Sequence, residues 1–342
     1  MTKILNKAKL EKFLEGLRPQ YKVVAPLQQG KEIAFSDLDL SQLTIGYSGR
    51  TRFSPKEYLF PESEALFTFE ISGQEGTIII NEHLNETKTV IWGIRPCDLA
   101  GIKVLDAVFL SDAIDPYYQA RRTNTLLLGL NCNQAEKTCF CNSLAAGPFA
   151  HEGFDLVFTD LGDEFLVEIG SQAGETLIKQ DADLFSDATS KQEEKAKLLE
   201  EKSKSSFMTS LDIKKLEAKL PAVFNSPIWD EQASKCKVCG TCCIVCPTCH
   251  CFNIEDLTRS KKVVQRMRYW DCCQFSGFTQ MAAYNSRASQ GERWRQKIYH
   301  KFSYMPDKYN GLIGCTGCGR CIDLCQGSID IVEVLGRVVN EQ

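Results

Sequence analysis

The sequence predicts a mixed α+β or α/β N-terminal domain over residues 1–225 and a mostly helical, cysteine-rich domain over residues 226–342. Three observations carry that division. Apolar, β-branched runs alternate with short helical patterns up to about residue 170. Residues 181–222 then turn Lys-, Glu- and Ser-rich with few β-branched residues, as exposed connecting helices do. Beyond Ser226-Pro227, a plausible helix start, the chain becomes dense in cysteine.

Taken in order, Met1 to Leu17 intersperses Lys and Glu with Leu, Ile and Phe, which predicts an amphipathic helix without the apolar core of a signal peptide. Strands are expected at Lys22 to Ala25, Gly76 to Ile80, Thr89 to Ile94 and Thr125 to Leu130. Two more, Asp155 to Thr159 and Glu164 to Ile169, flank a turn at Asp160-Leu-Gly-Asp163. Between Thr89 and Leu130 the order reads strand, helix, strand, with Leu99, Ile102, Leu105 and Phe109 on one helical face and Asp98 placed to cap it, a candidate βαβ unit. In the cysteine-rich half, residues 248–314 are read largely as helix, over Asp256 to Tyr269 and Phe278 to Lys301.

Composition narrows the function classes. With 342 residues, 43% of them hydrophobic, the chain can bury a substantial core. A formal net charge of -4 gives no broad attraction to nucleic acid or acidic lipid, and no apolar run is long enough for a bilayer, so a cytoplasmic, soluble protein is expected. Seventeen cysteines are too many for structural thiols in a non-secreted chain, and all but Cys97, Cys132, Cys139 and Cys141 lie between Cys236 and Cys325. Metal ligation is the better reading.

The spacing names the metal chemistry. Cys236, Cys239, Cys242 and Cys246 follow C-x2-C-x2-C-x3-C with Pro247 after the fourth, and Cys315, Cys318, Cys321 and Cys325 repeat it with Gln326 in place of the proline. Three thiolates on a tight loop reach three irons of one cubane, while the fourth binds the cluster of the partner motif. Cys236, Cys239, Cys242 and Cys325 are therefore assigned to one [4Fe-4S] cluster, and Cys315, Cys318, Cys321 and Cys246 to a second. Gly240, Gly317 and Gly319 leave room for backbone N–H groups near the sulfurs. Structural zinc sites also pair C-x2-C units but space the pairs more widely. The long insert between the motifs suits a helical ferredoxin-like domain.

Nine cysteines remain. Cys97 and Cys132 follow the strands of the βαβ unit, so a right-handed crossover puts both at the carboxyl edge of neighbouring parallel strands, and Cys139 and Cys141 follow in the next loop. These four are expected to hold a third [4Fe-4S] cluster; the bland alternative is buried inert thiols, with Arg95 a mere ion-pair residue. Cys249, Cys251, Cys272 and Cys273 are open to binding a further cluster or lining the path between clusters, with packing the favoured reading. Cys243 is unassigned, and His250 reads as a packed or solvent-facing residue. Arg266, Arg268, Arg293 and Arg295 form a solvated face or, alternatively, offset cluster charge or dock an acidic partner.

These residues resemble the beta subunit of soluble sulfhydrogenase-type nickel–iron hydrogenases and its relative among the subunits of anaerobic sulfite reductase. The likeness rests on Trp92-Gly-Ile-Arg-Pro-Cys97-Asp98, Asp115 to Arg122, Cys132 with Thr138-Cys-Phe-Cys141, Gly147-Pro148 and Gly153-Phe-Asp155. It continues through Cys246-Pro-Thr-Cys-His-Cys-Phe252, Trp270-Asp-Cys272 and Gly314-Cys-Thr-Gly-Cys-Gly-Arg-Cys321. The resemblance implies an electron-transfer subunit working between a flavoprotein that handles NAD(P)H through FAD and a catalytic hydrogenase or sulfite reductase partner. It also implies that the N-terminal cysteines are ligands. No G-x-G-x-x-G or G-x-x-x-x-G-K fingerprint occurs in the chain, so FAD and NAD(P) are expected on a partner subunit. Two other classes compete: a reductase with an open cluster for a small sulfur substrate, and a structural zinc or nucleic-acid module using the basic insert.

Overall fold

A computed structural model describes residues 2–72 and 77–341. The strands are β1 (Thr2–Asn6), β2 (Lys22–Gln29), β3 (Glu32–Asp37), β4 (Ser63–Ser72), β5 (Thr77–Glu82), β6 (Thr89–Ile94), β7 (Thr125–Leu130), β8 (Leu156–Asp160), β9 (Glu164–Ile169), β10 (Phe185–Asp187), β11 (Phe252–Ser260) and β12 (Val263–Trp270). The helices are α1 (Leu10–Leu17), α2 (Pro96–Phe109), α3 (Pro116–Thr123), α4 (Gln172–Gln180), α5 (Ser190–Ser205), α6 (Ile213–Lys219), α7 (Ile228–Lys235), α8 (Thr241–Ile244), α9 (Gln290–Tyr299), α10 (Met305–Lys308), α11 (Arg320–Asp323) and α12 (Ile331–Asn340).

An eight-stranded sheet, ordered β10-β1-β9-β8-β7-β6-β2-β3, forms the centre. Its middle strands β2, β6, β7 and β8 run parallel. Every residue of β6 is buried, as a strand covered on both faces requires. One face packs on α1 through Phe13, Leu14 and Leu17, and the other on α2 through Leu99, Ile102 and Leu105. The crossover from β6 to β7 runs through α2 and α3, so Cys97 and Cys132 leave adjacent parallel strands at the same edge. The start of the expected strand at Gly76 lies outside the described residues.

Four expectations need correction. The N-terminal segment opens as a strand: Thr2–Asn6 pairs with β9 and β10, burying Ile4 and Leu5, and only Leu10–Leu17 is α-helix. Asp98 does not cap α2, whose N-cap is Arg95; its carboxylate is spent elsewhere, as described below. Asp256 to Tyr269 is a β-hairpin, not a helix, with Phe252 opposite Trp270 and Asp256 opposite Arg266. Phe278 to Lys301 becomes α-helix only at Gln290, where Ser289 and Glu292 form a capping box.

The hairpin has a physical reason. Alone, its charged residues suit a helix as well as a strand, but β12 lies against β4 of the N-terminal half and completes a four-stranded sheet, β11-β12-β4-β5. That sheet crosses residue 225, where the sequence suggested a boundary. Arg268 on β12 is buried and donates to Glu64 on β4 and to Asp115 at the N-cap of α3. Glu64 also pairs with Arg121 at 2.7 Å. The C-terminal helices α6, α7, α9 and α12 surround a separate core of Leu216, Trp229, Trp294, Ile298 and Leu335. No helix among the described residues is long and apolar enough to cross a membrane.

Arg268→Met leaves the buried Glu64 and the half-buried Asp115 without the positive charge that anchors the hairpin. Breaking a buried pair from one side is expected to cost about 3 kcal/mol, and equilibrium denaturant unfolding checks it.

Candidate metal centres

The two cysteine motifs fold alike. In each, a glycine with positive φ, Gly240 (75°) or Gly319 (73°), caps a one-turn helix, α8 or α11, that carries the third cysteine. One step before the second cysteine, Gly317 takes φ 63° and Val238 takes φ 53°, so a β-branched residue occupies a left-handed position that its counterpart fills with glycine.

The motifs cross. One cavity is lined by Cys236, Cys239, Cys242 and Cys325, with Trp294 and Lys297. The adjoining cavity is lined by Cys246, Cys315, Cys318 and Cys321, with Thr316, Lys297 and Lys301. Cys242 and Cys321 touch both, so one wall separates the two. The fourth cysteine of each motif thus stands with the first three of the other.

The N-terminal thiols gather a short way off. Cys97 and Cys141 pack with Cys318 of the second motif. The Cys141 thiol is raised well above its usual value, first by burial and then by the neighbouring thiols Cys132, Cys139 and Cys318. Phe140, between two of these cysteines, is buried in the C-terminal core and its N–H donates to Gly317 O at 2.8 Å. Cys139 Sγ lies 3.8 Å from Cys318 O. The glycines of the second motif also serve a need beyond the expected one. A Cβ on Gly317 would stand 2.6 Å from Cys141 N, and one on Gly319 would stand 2.5 Å from Thr138 O. They admit the N-terminal loop, and Gly240 admits the Phe275 ring in the same way.

Asp98 and Arg320 lock this contact. Both are essentially without exposure, and Arg320 grips the carboxylate with two bonds of 2.6 and 2.8 Å while donating to Thr51 O at 2.8 Å. The carboxylate next to Cys97 thus holds the helix that carries Cys321.

Buried cations surround both thiol groups. Arg50 donates to Cys139 Sγ at 3.0 Å, and Arg95, 3% exposed, lies beside Cys132 while donating to Leu130 O and Asn131 O. Lys301 Nζ lies 3.4 Å from Cys246 Sγ, 2.9 Å from Thr248 Oγ1 and 2.8 Å from Gly314 O. Burial alone would lower the Lys297 pKa, yet the thiolates of Cys242, Cys321 and Cys243 hold it well above the usual lysine value. The arginines singled out from the sequence divide between surface and interior. Arg266 pairs with Asp256 in solvent, Arg268 is the hairpin anchor, Arg293 donates to the carbonyls of Gln274, Arg287 and Ala288, and Arg295 stacks 3.9 Å over Phe224.

Lys297 and Lys301 were legible in principle. They stand at i and i+4 on the face that buries Trp294, Ile298 and Phe302, and a lysine at apolar spacing asks for a buried anion. Arg50, Lys56 and Arg320 carry no such local signal. His250 places Nδ1 2.9 Å from Thr248 O and packs edge-on to Phe109 and His300, as a packed residue does.

The donor set suits iron–sulfur clusters. Each of the three thiol groups has a buried polar atom without a protein partner: Trp294 Nε1 at the first cavity, Thr316 Oγ1 at the second, and Arg95 Nε beside Cys132. The two N–H groups and the hydroxyl suit sulfide and thiolate acceptors. Among the described residues no three such ligand side chains are grouped closely enough to hold one metal ion.

Two adjoining thiol-lined cavities fed by crossed C-x2-C-x2-C-x3-C loops define an iron–sulfur electron-transfer protein of the dicluster type, and a family model described as a 4Fe-4S dicluster domain matches residues 235–329. The chain is 34% identical over 328 residues to sulfhydrogenase 2 subunit beta of Pyrococcus furiosus, covering 95% of each, and belongs to that hydrogenase beta-subunit family. No solved structure matches it.

Two substitutions test the packing around the motifs. Asp98→Ala strands Arg320 in a sealed site and should cost roughly 3–5 kcal/mol in chemical unfolding. Val238→Gly removes a side chain from a left-handed position and should raise stability by about 1 kcal/mol, read as a higher denaturation midpoint.

Proposed function

We propose that this chain relays single electrons through three [4Fe-4S] clusters, linking a partner that binds flavin and NAD(P) to a catalytic partner of hydrogenase or sulfite reductase type. The ligands are Cys236, Cys239, Cys242 and Cys325 for the first cluster and Cys315, Cys318, Cys321 and Cys246 for the second. Cys97, Cys132, Cys139 and Cys141 hold the third. The observation that carries the reading is continuity: the first two thiol groups share Cys242 and Cys321 at a common wall, and Cys318 of the second packs on Cys97 and Cys141 of the third.

Bound iron–sulfur clusters supply one-electron redox chemistry at potentials tuned by charge, hydrogen bonds and burial. The protein's part is to hold the thiolates, exclude water and offset charge. Cys97, Cys141 and Cys318 are nearly sealed from solvent, and Arg50, Arg95, Arg320, Lys297 and Lys301 bring buried positive charge to the thiolates. Buried cations next to a cluster favour its reduced, more negative form. The partner assignment draws on the relative, which is itself named as a subunit of a sulfhydrogenase, and on the lack of a nucleotide fingerprint in this chain.

Anaerobically purified full-length protein should contain at least about twelve iron atoms, four for each cluster. Crossed ligation makes a sharper forecast: Cys325→Ser should remove the same EPR signal as Cys236→Ser, and Cys246→Ser the same one as Cys315→Ser. Pairing of Cys325 with Cys315 instead would refute the assignment, and zinc in place of iron would refute the relay.

A further inference from the structure

Five cysteines lie outside those three groups, and the structure draws them together. The hairpin is the reason. Cys249 and Cys251 lead into β11, Cys272 and Cys273 lead out of β12, and the pairing of Phe252 with Trp270 brings both ends side by side. Asp271 N donates to Cys251 O at 2.9 Å and closes that end. Helix α8 adds Cys243, 2% exposed, whose Sγ lies 4.0 Å from that of Cys273. Cys243, Cys272 and Cys273 form one buried cluster, with Cys242, Cys249 and Cys251 packed against it.

Inert packing accounts poorly for what surrounds them. Lys56 reaches in from the N-terminal half, 2% exposed, with Nζ 3.1 Å from Cys249 O, 3.4 Å from Cys243 O and 4.0 Å from the centre of the Trp270 ring. Those partners are carbonyls and an aromatic face, with no carboxylate among them. Both carbonyls belong to cysteines of this group, so the ammonium is held against their backbone. Lys297 likewise lines the hollow shared by Cys249, Cys251 and Cys273. A buried ammonium is costly without an anion, and neutral thiols offer none. Nitrogen donors are also aimed at sulfur: Gln274 N lies 3.4 Å from Cys272 Sγ, and Gln274 Nε2 lies 3.6 Å from Cys273 Sγ. Thiolates gathered around metal meet both conditions.

We propose that Cys243, Cys249, Cys251, Cys272 and Cys273 form a fourth iron–sulfur site, in which four of the five thiolates hold a four-iron cluster and Lys56 supplies buried counter-charge. The proposal rests on reading the chain as an iron–sulfur protein, but on none of the other ligand assignments. Cys242 and Cys243 are consecutive, so this site adjoins the first cluster through a single peptide unit and extends the path toward the small sheet.

The test uses the full chain purified anaerobically, with iron, sulfide and zinc analysis, Mössbauer spectra and EPR. Wild type should hold about sixteen iron atoms and the Cys249→Ser/Cys272→Ser double variant about twelve, with the signals of the other clusters retained. Because that variant can fail to fold, Lys56→Met is the second arm: it should keep the full iron count and move one EPR-detected cluster to a lower midpoint potential. About twelve iron atoms in both wild type and the double variant, or a zinc ion at this site, would overturn the proposal while leaving the relay intact. Loss of iron from the wild type altogether would instead remove the relay reading itself.

Discussion

The salt bridge between Asp98 and Arg320 is the constraint on which the arrangement of thiols depends. It joins the first turn of α2, beside Cys97, to the helix that carries Cys321, and neither group is exposed. Its two parallel hydrogen bonds fix orientation as well as distance. A fully buried pair of this kind adds little net stability over an apolar contact, so its value lies in specificity. It sets the register in which Phe140 N meets Gly317 O and Cys141 comes to rest against Cys318. Gly317 makes that register possible, since any side chain there would strike the Cys141 backbone.

Charge organises the rest. A protein that gathers this many thiols in its interior needs cations nearby if they are to ionise, and it draws them from both halves of the chain. Arg50 and Arg95 stand at the N-terminal thiols, Lys297 between the two C-terminal cavities, Lys301 at the second of them, and Lys56 at the five remaining cysteines. The exposed arginines of the hairpin take no part, because Arg266 is satisfied by Asp256 directly across the strand pair. Burial, more than basic composition, separates a cation that offsets thiolate charge from one that keeps a surface soluble.

Helix and strand were legible where one periodicity had no rival. The β6 and β7 runs read as buried strands because their apolar residues are continuous, and α2 as a helix because Leu99, Ile102, Leu105 and Phe109 recur at helical spacing. The hairpin failed that test for a physical reason. Charged and polar residues between Phe252 and Trp270 fit either state, and the edge of β4, distant in sequence, selects the strand. Val263-Val264 and the alternation through Tyr269 were the available hints. Asp98 is a similar case: an acidic residue in a first helical turn is a reasonable cap until an arginine 222 positions away claims it.

What the sequence determined by itself was the chemistry. Tandem C-x2-C-x2-C-x3-C motifs confine three thiols to one loop, so local spacing alone names an iron–sulfur protein and predicts which fourth cysteine stands with each trio. Only the tertiary structure decided which cations reach the thiols, and that five unassigned cysteines meet at the end of a hairpin. Local spacing fixes ligands a few residues apart because the chain between them has few conformations. Contacts such as Asp98 with Arg320, or Lys56 with Cys249, form across long stretches whose path is set by core packing, and no short pattern records them.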